Sequence, residues 1–516
     1  GKITNANYAQ TGPEAAYVYR QAGTYVVTLT IRARSSAVAY TATTVRRSIT
    51  VTTFNPSAGE WYFDSAAPGG GDGSIGSPFN SLTTLNTKAI ANSALHIKRG
   101  SNFVGATGIL VTTTPLRIDA YGSGDDPIIN VSSGASVPFF IQNGSSSDGV
   151  NQNDLVVSNI KFTSSGTASS EYLAHVHTHS NATATIDNVY FDNCHFVSTL
   201  AIVTILLELH YVNGFGELTS TGVWGGTNIA PTTAGFGSLG ISGSARNWHF
   251  CVGVSEVSGR GADSLFHHFY PETRNHALYR WINFGSGPGR NYCVNTNYDA
   301  PAAQPLQYAD YHLFSDCYFS GTQRGIDASD SNGDETKVLF RNFVIQQNSF
   351  TGLGLSGSDP GVILFFCVET MTVRNNNTWN CGSGAWFRPD AAGLTAIFSG
   401  RLYGNKIYAT AGGNNGSQID YATAAWTQPQ QITDNIIQDQ QAAATLIALD
   451  VAALVGSQSI VDRNQYWAPN DSQNPAQAWF DDGTVKTFAQ WQALLLDVNG
   501  SYANPNWPDP ANGNFG

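Results

Sequence analysis

The chain has 516 residues, of which only 12% are Asp, Glu, Lys or Arg and 53 are Gly. This charged fraction is about half of the usual one, which is typical of β-rich, turn-rich exported proteins. Aromatic residues make up 12% of the chain, which excludes intrinsic disorder, and Gly follows no three-residue period, which excludes collagen. The formal net charge of −12 comes without the clustered cations that a nucleic-acid binder needs, so no nucleic-acid partner is expected.

The lengths of the apolar runs and the spacing of the cysteines are relevant to where the protein is located in or outside the cell. Runs such as residues 201–207 are far shorter than the roughly 18 residues that span a bilayer, so no membrane span is expected. The chain begins at Gly1 and its only Met is Met371, so we expect a processed, truncated or engineered start, at which any signal peptide would already be gone. The six cysteines lack CxxC spacing and are expected to be small core residues, with one or two disulfides between neighbouring coils as the alternative. The cysteine count does not fix the redox compartment. From the composition typical of exported proteins, we expect an extracellular location, secreted or at a cell surface.

Residues 1–53 are expected to form a module of their own. Two segments, 16–31 and 47–52, alternate apolar and polar residues, a pattern that predicts an antiparallel β-sandwich. The string YVYRQAGTYVVTLTI at residues 17–31 resembles the latter half of a PKD (Ig-like) domain. The resemblance implies a structural spacer rather than a catalytic unit.

The predicted order of elements changes after residue 60. A strand at Trp61, a Gly-rich linker, a short amphipathic helix within residues 82–91 and the string AYGSGDDPII at 120–129 follow one another. This order resembles the N-terminal cap and first coil of the pectate-lyase-like superfamily, whose fold is a right-handed parallel β-helix. A predicted short helix at residues 488–494, followed by a Pro- and Asn-rich tail, resembles the C-terminal segment of such proteins. The resemblance implies an all-β fold, with the β-helix at residues 54–470 and a C-terminal cap and tail at 471–516.

A repeat supports the solenoid. Asn or Asp, followed two or three residues later by a bulky side chain, recurs with a period of about 30 residues, apart from one break of about four periods. The positions are Asn159, Asn193, Asp316, Asn348, Asn376, Asn405, Asn435 and Asn464. We expect about eleven coils of about 30 residues, each with a turn-prone amide at the same corner and the largest loops in the middle.

Two similar strings lie within and just after residues 175–312, the segment that holds ten of the eleven histidines. Arg260-Gly-Ala-Asp263 and Arg324-Gly-Ile-Asp327 are separated by about twice the repeat period, which predicts two coils. Because stacked strands are about 4.8 Å apart, Asp263 and Asp327 would lie about 9 to 10 Å apart, with Asn291 between them. Inverting glycosidases separate their catalytic carboxyls by about 6.5–9.5 Å. The alternative is that both strings are corner turns, with Gly at positive φ and Asp capping the bend.

Further residues near these strings are expected to bind substrate. Segment 263–276, read as a loop over the groove, offers acidic, basic and aromatic side chains, and solvated loop polarity is the competing explanation. The expected substrate-binding residues are Arg260, His267, His268, Tyr270, Glu272, Arg290, Asn291 and Arg324. In a lyase, Arg260 or Arg290 would neutralise a uronate while a His or Tyr removes the proton.

No cofactor is expected, although two segments have metal-binding features. His175, His177 and His179 alternate and would share one face of a strand, but no carboxylate or cysteine nearby completes a ligand set. Asp330, Asn332 and Asp334 form an oxygen-rich turn that would suit calcium, although their order does not match an EF-hand.

The expected function is that of an extracellular polysaccharide-degrading enzyme, a glycoside hydrolase rather than a lyase. The superfamily also contains non-catalytic proteins, so a carbohydrate-binding adhesin, a phage tailspike or a structural stalk remain alternatives. The expected partner is a polysaccharide or surface glycan. A secreted enzyme would be a monomer, and a tailspike would be a trimer carried on the virion.

Overall fold

The computed structural model describes most of the chain, in segments. For some strand residues it describes the backbone position only. The described residues are 15, 19, 21–34, 40–132, 137–143, 152–165, 172–178, 186–198, 205–210, 214–218, 221–224, 239–245, 248–252, 255–257, 267–273, 275–284, 292–296, 307–320, 324–328, 338–353, 361–365, 369–381, 385–387, 399–409, 419–421, 429–440, 446–449, 459–470, 479–481 and 484–516.

The described part of residues 1–53 contains a long hairpin. Strands β1 (Gly23–Arg34) and β2 (Tyr40–Val51) pair in antiparallel register from Gly23↔Val51 to Arg34↔Tyr40. Apolar side chains on it are exposed, Val26 by 61% and Leu29 by 56%. In the described part of residues 1–53 these two strands form one two-stranded sheet. The sandwich and the PKD resemblance therefore stay predictions.

The rest of the chain winds into a parallel β-solenoid with three sheets, and all strand pairs in it are parallel except β43 with β44. The first sheet consists of β3 (Gly59–Phe63), β4 (Ser93–Lys98), β7 (Leu116–Tyr121), β10 (Gln152–Ser158), β13 (Ile186–Asp192), β16 (Gly214–Leu218), β19 (Trp248–Val252), β22 (Asn275–Arg280), β25 (Gln307–Ser315), β28 (Val338–Arg341), β29 (Phe343–Gln346), β32 (Thr370–Arg374), β35 (Ser399–Tyr403), β38 (Gln431–Thr433) and β41 (Ile460–Asp462). The second sheet consists of β5 (Asn102–Gly105), β8 (Ile128–Val131), β11 (Lys161–Ser164), β14 (His195–Ser198), β17 (Thr221–Trp224), β20 (Ser255–Val257), β23 (Asn283–Phe284), β26 (Tyr318–Ser320), β30 (Ser349–Thr351), β33 (Asn377–Cys381), β36 (Lys406–Ala409), β39 (Ile436–Asp439), β42 (Gln465–Trp467) and β45 (Ser501–Tyr502). The third sheet consists of β6 (Ile109–Val111), β9 (Phe139–Asn143), β12 (Tyr172–Thr178), β15 (Ile205–His210), β18 (Leu239–Ala245), β21 (His267–Thr273), β24 (Tyr292–Thr296), β27 (Arg324–Ala328), β31 (Gly361–Phe365), β34 (Ala385–Phe387), β37 (Ile419–Tyr421), β40 (Ile447–Leu449), β43 (Trp479–Asp481) and β44 (Thr484–Lys486).

The expected fold class is confirmed, but the expected number of coils is wrong. In the described residues the three sheets contain 15, 14 and 14 strands, whereas eleven coils were expected. Eleven coils of about 30 residues account for only about 330 of the 417 residues in 54–470, a length that fits about fourteen such coils. Individual coils do depart from 30 residues, and His96 and its register partner Asp119 are only 23 residues apart.

The interior is built from columns of identical or similar side chains. Phe284 stacks on Phe319 and Phe319 stacks on Phe350, each pair with ring centroids 4.6 Å apart. Because strands in register place equivalent residues about 4.8 Å apart, aromatic rings in one column stack in offset geometry. The described thiols of Cys194, Cys317 and Cys381 are buried and free of disulfides, as expected for core residues.

The corner between the first and second sheets has two residues. The first has a positive φ, at 57° in Asn159 and 55° in Asn375, and Asn tolerates this left-handed conformation well. The second residue faces the interior. From β29 onward it is a buried Asn in five successive coils, Asn348, Asn376, Asn405, Asn435 and Asn464.

These asparagines form a hydrogen-bonded ladder. The backbone N–H and the Nδ2 of Asn376 both donate to Oδ1 of Asn405 at 3.0 Å, and Asn405 donates in the same way to Asn435. The Nδ2 of Asn405 also donates to the Val373 carbonyl, one coil back, at 3.0 Å. Both donors and the acceptor of each buried amide are thus satisfied.

The sequence repeat therefore combines two structural columns. Asn159, Asn193 and Asp316 occupy the first corner position, with positive φ, while the series from Asn348 onward occupies the second position. In the earlier coils the second position holds Ile160, Cys194 and Cys317 instead. The expectation that the repeated residue occupies the same corner position in every coil is wrong. Both corner positions favour Asn, the first because Asn tolerates a positive φ and the second because its side-chain amide both donates and accepts hydrogen bonds.

The ladder ends at a carboxylate. Asp497 Oδ1 accepts from the Asn464 backbone N–H, and its Oδ2 accepts from Asn464 Nδ2, both at 3.0 Å. The hydroxyl of Tyr466 donates to the same Oδ2 at 2.5 Å. A carboxylate accepts without offering a donor, so no amide hydrogen is left facing the end of the stack.

Short helices lie near both ends, as expected. Helix α1 (Leu82–Lys88) is N-capped by Ser81 and buries Leu82 and Leu85 against the first coils. Helix α2 (Phe488–Ala493) begins with a capping box between Thr487 and Gln490 and buries Trp491. A single 3-10 turn, Pro510–Asn512, precedes the last residues. In the described part of the chain, no helix has the length and apolarity to cross a membrane.

Candidate functional site

Asp327 lies on the outer face of the third sheet. Its neighbours in β27, Ile326 and Ala328, are both 0% exposed. Because alternate residues of a strand lie on opposite faces, position 327 is on the outer face. Asp327 pairs in register with Asn295 of β24 and with Leu364 of β31.

The string Arg324-Gly-Ile-Asp327 is a strand and not a corner turn, so the turn alternative is wrong for it. All four residues belong to β27. Gly325 is outside the left-handed region and is needed for another reason, since an added Cβ would lie 2.5 Å from the Val362 carbonyl oxygen. The close approach of two backbones excludes a side chain at this position.

The expected alignment of the two Arg-Gly-X-Asp strings is wrong. Arg324 pairs with Tyr292, and Tyr292 pairs with His267, so His267 is the residue two coils before Arg324. The expected alignment would require Arg260 at that position. Asp263 itself lies outside the described residues, four positions before β21 begins. The coils differ in length, so the number of residues between two positions does not determine whether they lie in register.

Three predicted residues of β21, His268, Tyr270 and Glu272, lie on the same outer face of the third sheet as Asp327. Tyr270 pairs in register with Gly240, and Phe269, the preceding residue, pairs with Val294, the residue before Asn295. Tyr270, Asn295 and Asp327 therefore occupy successive positions across the sheet. His268 and Glu272 lie two residues before and after Tyr270 and so share its face.

Other predicted residues lie at an edge or beyond the described segments. His267, Tyr292 and Arg324 are in register, and each is the first residue of its strand. They form a row at the edge of the third sheet where the strands begin. The predictions that lie outside the described residues are Arg260, Asp263, Arg290, Asn291 and the proposed calcium turn with Asp330, Asn332 and Asp334.

A concave region that the sequence analysis did not identify lies between the N-terminal hairpin and the first sheet. Its cavity has a volume of about 670 Å³. Aromatic and charged side chains line it, including Tyr19, Arg117, Asp154, Tyr190 and Asp192. Asn188 Nδ2 donates to Asp154 Oδ1 at 2.9 Å. No sequence signal links Tyr19 to Asp154, because the N-terminal residues and a strand several coils further along the chain meet only in the fold.

An ionic cluster covers the outer face of the first coils. His96 Nδ1 lies 2.6 Å from Asp119 Oδ1, and Arg117 Nε donates to Asp119 Oδ2 at 2.9 Å. Tyr62 stacks on His96 with ring centroids 4.8 Å apart. These residues hold one another in place across three strands. Among the side chains that the structure describes, no three His, Cys, Asp or Glu residues lie close enough together to bind a metal ion.

No known protein family, no curated protein and no solved structure matches this chain.

Proposed function

We propose that the protein is an extracellular polysaccharide-degrading enzyme, a glycoside hydrolase that binds its substrate across the outer face of the third sheet. The observation that carries the proposal is the row Tyr270, Asn295 and Asp327 on consecutive strands of one outer face. An aromatic residue, an amide and a carboxylate spaced about 4.8 Å apart suit an extended chain of sugars, with stacking, hydrogen bonding and acid-base chemistry in line.

Hydrolysis needs a second carboxyl group beside Asp327. Glu272 is two strands away and two residues further along β21, so its backbone position is about 12 Å from that of Asp327. Carboxylates on side chains of this length can reach the separation of about 6.5–9.5 Å that inverting glycosidases use. Asp263, four residues before β21, is the other candidate. One carboxyl protonates the glycosidic oxygen while the other activates water.

The test is activity of the purified chain on a panel of neutral and acidic polysaccharides, with new reducing ends and the ultraviolet absorbance of unsaturated products read in parallel. On the substrate found, Asp327→Asn is expected to reduce hydrolysis at least about 100-fold while glycan binding is retained. Glu272→Gln and Asp263→Asn identify the partner, because only the catalytic one should match the loss in Asp327→Asn.

The matched control is Asp420→Asn. Asp420 lies in the same column, after Leu364 and Trp386, three strands from Asp327. Its substitution removes an equivalent carboxylate about 14 Å away and should leave hydrolysis within about twofold. Full activity in Asp327→Asn would refute the proposed site.

A lyase is the second candidate, with His267, Tyr292 and Arg324 in register where their strands begin. Arg324 lies two residues before Ile326, which is 0% exposed, so by alternation these positions share the inward face and a lyase site would lie at the strand ends, not across the outer face. A cation that neutralises a uronate and a neighbouring base that removes a proton are what β-elimination requires. Ultraviolet-absorbing products, lost in Arg324→Ala but not in Asp327→Asn, would replace the hydrolase by the lyase. Glycan binding without either product would indicate an adhesin or tailspike.

A further inference from the structure

Two neighbouring strands of the third sheet bring together three histidines and a glutamate. In the pairing of β12 with β15, His175 is opposite Glu208 and His177 is opposite His210. The four positions form a two-by-two block, one coil apart across the sheet and two residues apart along each strand. Glu208 and His210 follow their partners by one full turn of the solenoid.

The block lies on the outer face of the sheet. Ala174 and Val176, which flank His175, are 0% exposed, whereas His175 is only partly buried. Leu207, the residue before Glu208, is 1% exposed. By strand alternation, all four positions of the block share the outer face.

The spacing suits a metal ion. Neighbouring strands are about 4.8 Å apart and alternate residues of one strand about 6.6 Å apart. Zinc binds imidazole nitrogen at about 2.0–2.1 Å and carboxylate oxygen at about 2.0–2.2 Å, and residues of these types at such positions are long enough to reach one ion. Imidazole and carboxylate are ligands that zinc and other divalent transition metals accept, and three neutral imidazoles with one carboxylate leave the bound ion with a net charge of about +1.

We propose that His175, His177, Glu208 and His210 form a binding site for one divalent transition-metal ion, of which zinc is the probe to use. The strands on either side add no competing ionisable group at the paired positions. These positions are Phe140 and Gln142 in β9, and Gly240 and Ser242 in β18. Phe140 contacts the His175 ring at a centroid distance of 5.4 Å, which places an apolar wall beside the block.

The proposed metal site is separate from the row Tyr270, Asn295 and Asp327 of the proposed hydrolase. Glu208 and Asp327 are four strands apart, about 19 Å. Zinc binding therefore does not depend on whether the protein degrades polysaccharide, and its test needs no substrate.

The experiment is isothermal titration of tag-free, chelator-treated protein with zinc chloride at neutral pH, with calcium and magnesium chloride as comparison titrations. We expect one zinc per chain and no heat of specific binding from calcium or magnesium, which prefer oxygen ligands. Affinity should fall steeply below about pH 6.5, where free imidazole takes up a proton and no longer binds metal.

Variants assign the binding to the block. His177→Ala and His210→Ala are each expected to weaken zinc binding at least about 10-fold, and His177→Gln and His210→Gln repeat the test if an alanine variant fails to fold. The control is His276→Asn, which removes an exposed histidine of the first sheet at a φ of 52° that Asn accepts. Absence of zinc binding in the unsubstituted chain, or unchanged affinity in the folded variants, would overturn the proposal.

Discussion

The corner between the first and second sheets is built differently in the earlier and the later coils. In the later coils, Nδ2 of Asn348 donates to the Phe314 carbonyl at 3.1 Å. In the coil before it, Sγ of Cys317 lies 3.5 Å from the carbonyl of Tyr279, the register partner of Phe314. The Ile282 backbone N–H also hydrogen-bonds to this thiol. Cys317 thus makes to the preceding coil the same two hydrogen bonds that Asn348 makes to its own preceding coil, but sulfur makes them more weakly.

The difference lies in the number of donors. A thiol has one hydrogen, and Sγ of Cys317 also lies 3.4 Å from the Ser315 carbonyl. An amide has two, so after bonding to the carbonyl one coil back it can still donate to the next Asn. The ladder begins at Asn348 because this is where the second donor first becomes available.

Coil length follows the same division. From Asn348 to Asn464, successive asparagines of the ladder are 28, 29, 30 and 29 residues apart. Before the ladder, register partners in the first sheet are 23 residues apart at His96 and 35 residues apart at Arg280. The proposed metal and carbohydrate sites lie in these irregular coils, so the interior ladder and the outer sites occupy different parts of the solenoid.

Among substitutions at the corner, Asn405→Leu is expected to have the largest effect on the free energy of unfolding. The change removes the acceptor of the buried N–H and of one Nδ2 hydrogen of Asn376, and the side-chain donor to the Val373 carbonyl. We expect the free energy of unfolding to fall by about 3 kcal/mol or more, measured by urea denaturation. The control is Asn375→Gly at the other corner position, where glycine accepts the φ of 55° and the loss should stay below about 1 kcal/mol. An equal loss in both variants would contradict a special role of the ladder.

Asp497→Asn is expected to have a smaller effect that depends on pH. Burial raises the pKa of Asp497 above its ordinary value, although hydrogen bonds from Tyr466 and Asn464 oppose this. The folded protein then binds the proton more tightly than the unfolded chain does. Stability should therefore decline as the pH rises from about 4 through the raised pKa. The Asn variant should lack this decline in denaturation midpoints measured from about pH 4 to about pH 7.

Asp462→Asn provides a control of opposite sign. Burial raises the pKa of Asp462, but hydrogen bonds from Asn499 and the charge of Arg463 outweigh it, so the pKa lies below its ordinary value. The ionised carboxylate stabilises the fold above about pH 4, and this stabilisation is lost as the pH falls through the lowered pKa. The two variants should change the pH profile in opposite directions, and identical profiles would contradict the assignment.

The smallest effect is expected from Cys317→Asn, which would extend the ladder by one coil. The Cys317 backbone N–H already donates to Oδ1 of Asn348 at 2.9 Å, so an amide at this position finds an acceptor ready. We expect stability within about 1 kcal/mol of the original chain, whereas Cys317→Val should lose about 1 kcal/mol with the weak sulfur hydrogen bonds. Calorimetric unfolding of both variants measures this, and a valine variant as stable as the asparagine variant would show that position 317 needs only volume.

The sequence predicts the solenoid from its repeat of about 30 residues and the first short helix from its amphipathic pattern, because both signals can be read along the chain without knowledge of the fold. It also identifies Asn348, Asn376, Asn405, Asn435 and Asn464 as one series, since these coils are nearly equal in length. It does not predict that Asn159 belongs to the neighbouring column, because the backbone angle that separates the two positions leaves no mark on residue type.

Register is harder to predict than fold. The Arg-Gly-X-Asp strings fail to align because a loop adds residues without adding a strand. For the same reason, nothing in the sequence pairs His175 with Glu208 until the length of that coil is known. The proposed metal site is therefore visible only when the strands are placed side by side.

The asparagine ladder also has an electrical direction. In each asparagine, one Nδ2 hydrogen is donated to the following coil and Oδ1 accepts from the preceding one, as the bonds from Asn348 through to Asp497 show, while the other Nδ2 hydrogen is donated one coil back. Five aligned amide dipoles place their positive end against the Asp497 carboxylate, in the way that a helix presents its N-terminus to an anion. A coil inserted within the ladder can repeat the same residue, but a coil added beyond Asp497 would meet a negative charge that has no hydrogen to pass on. The buried aspartate thus marks the end of the stack electrostatically.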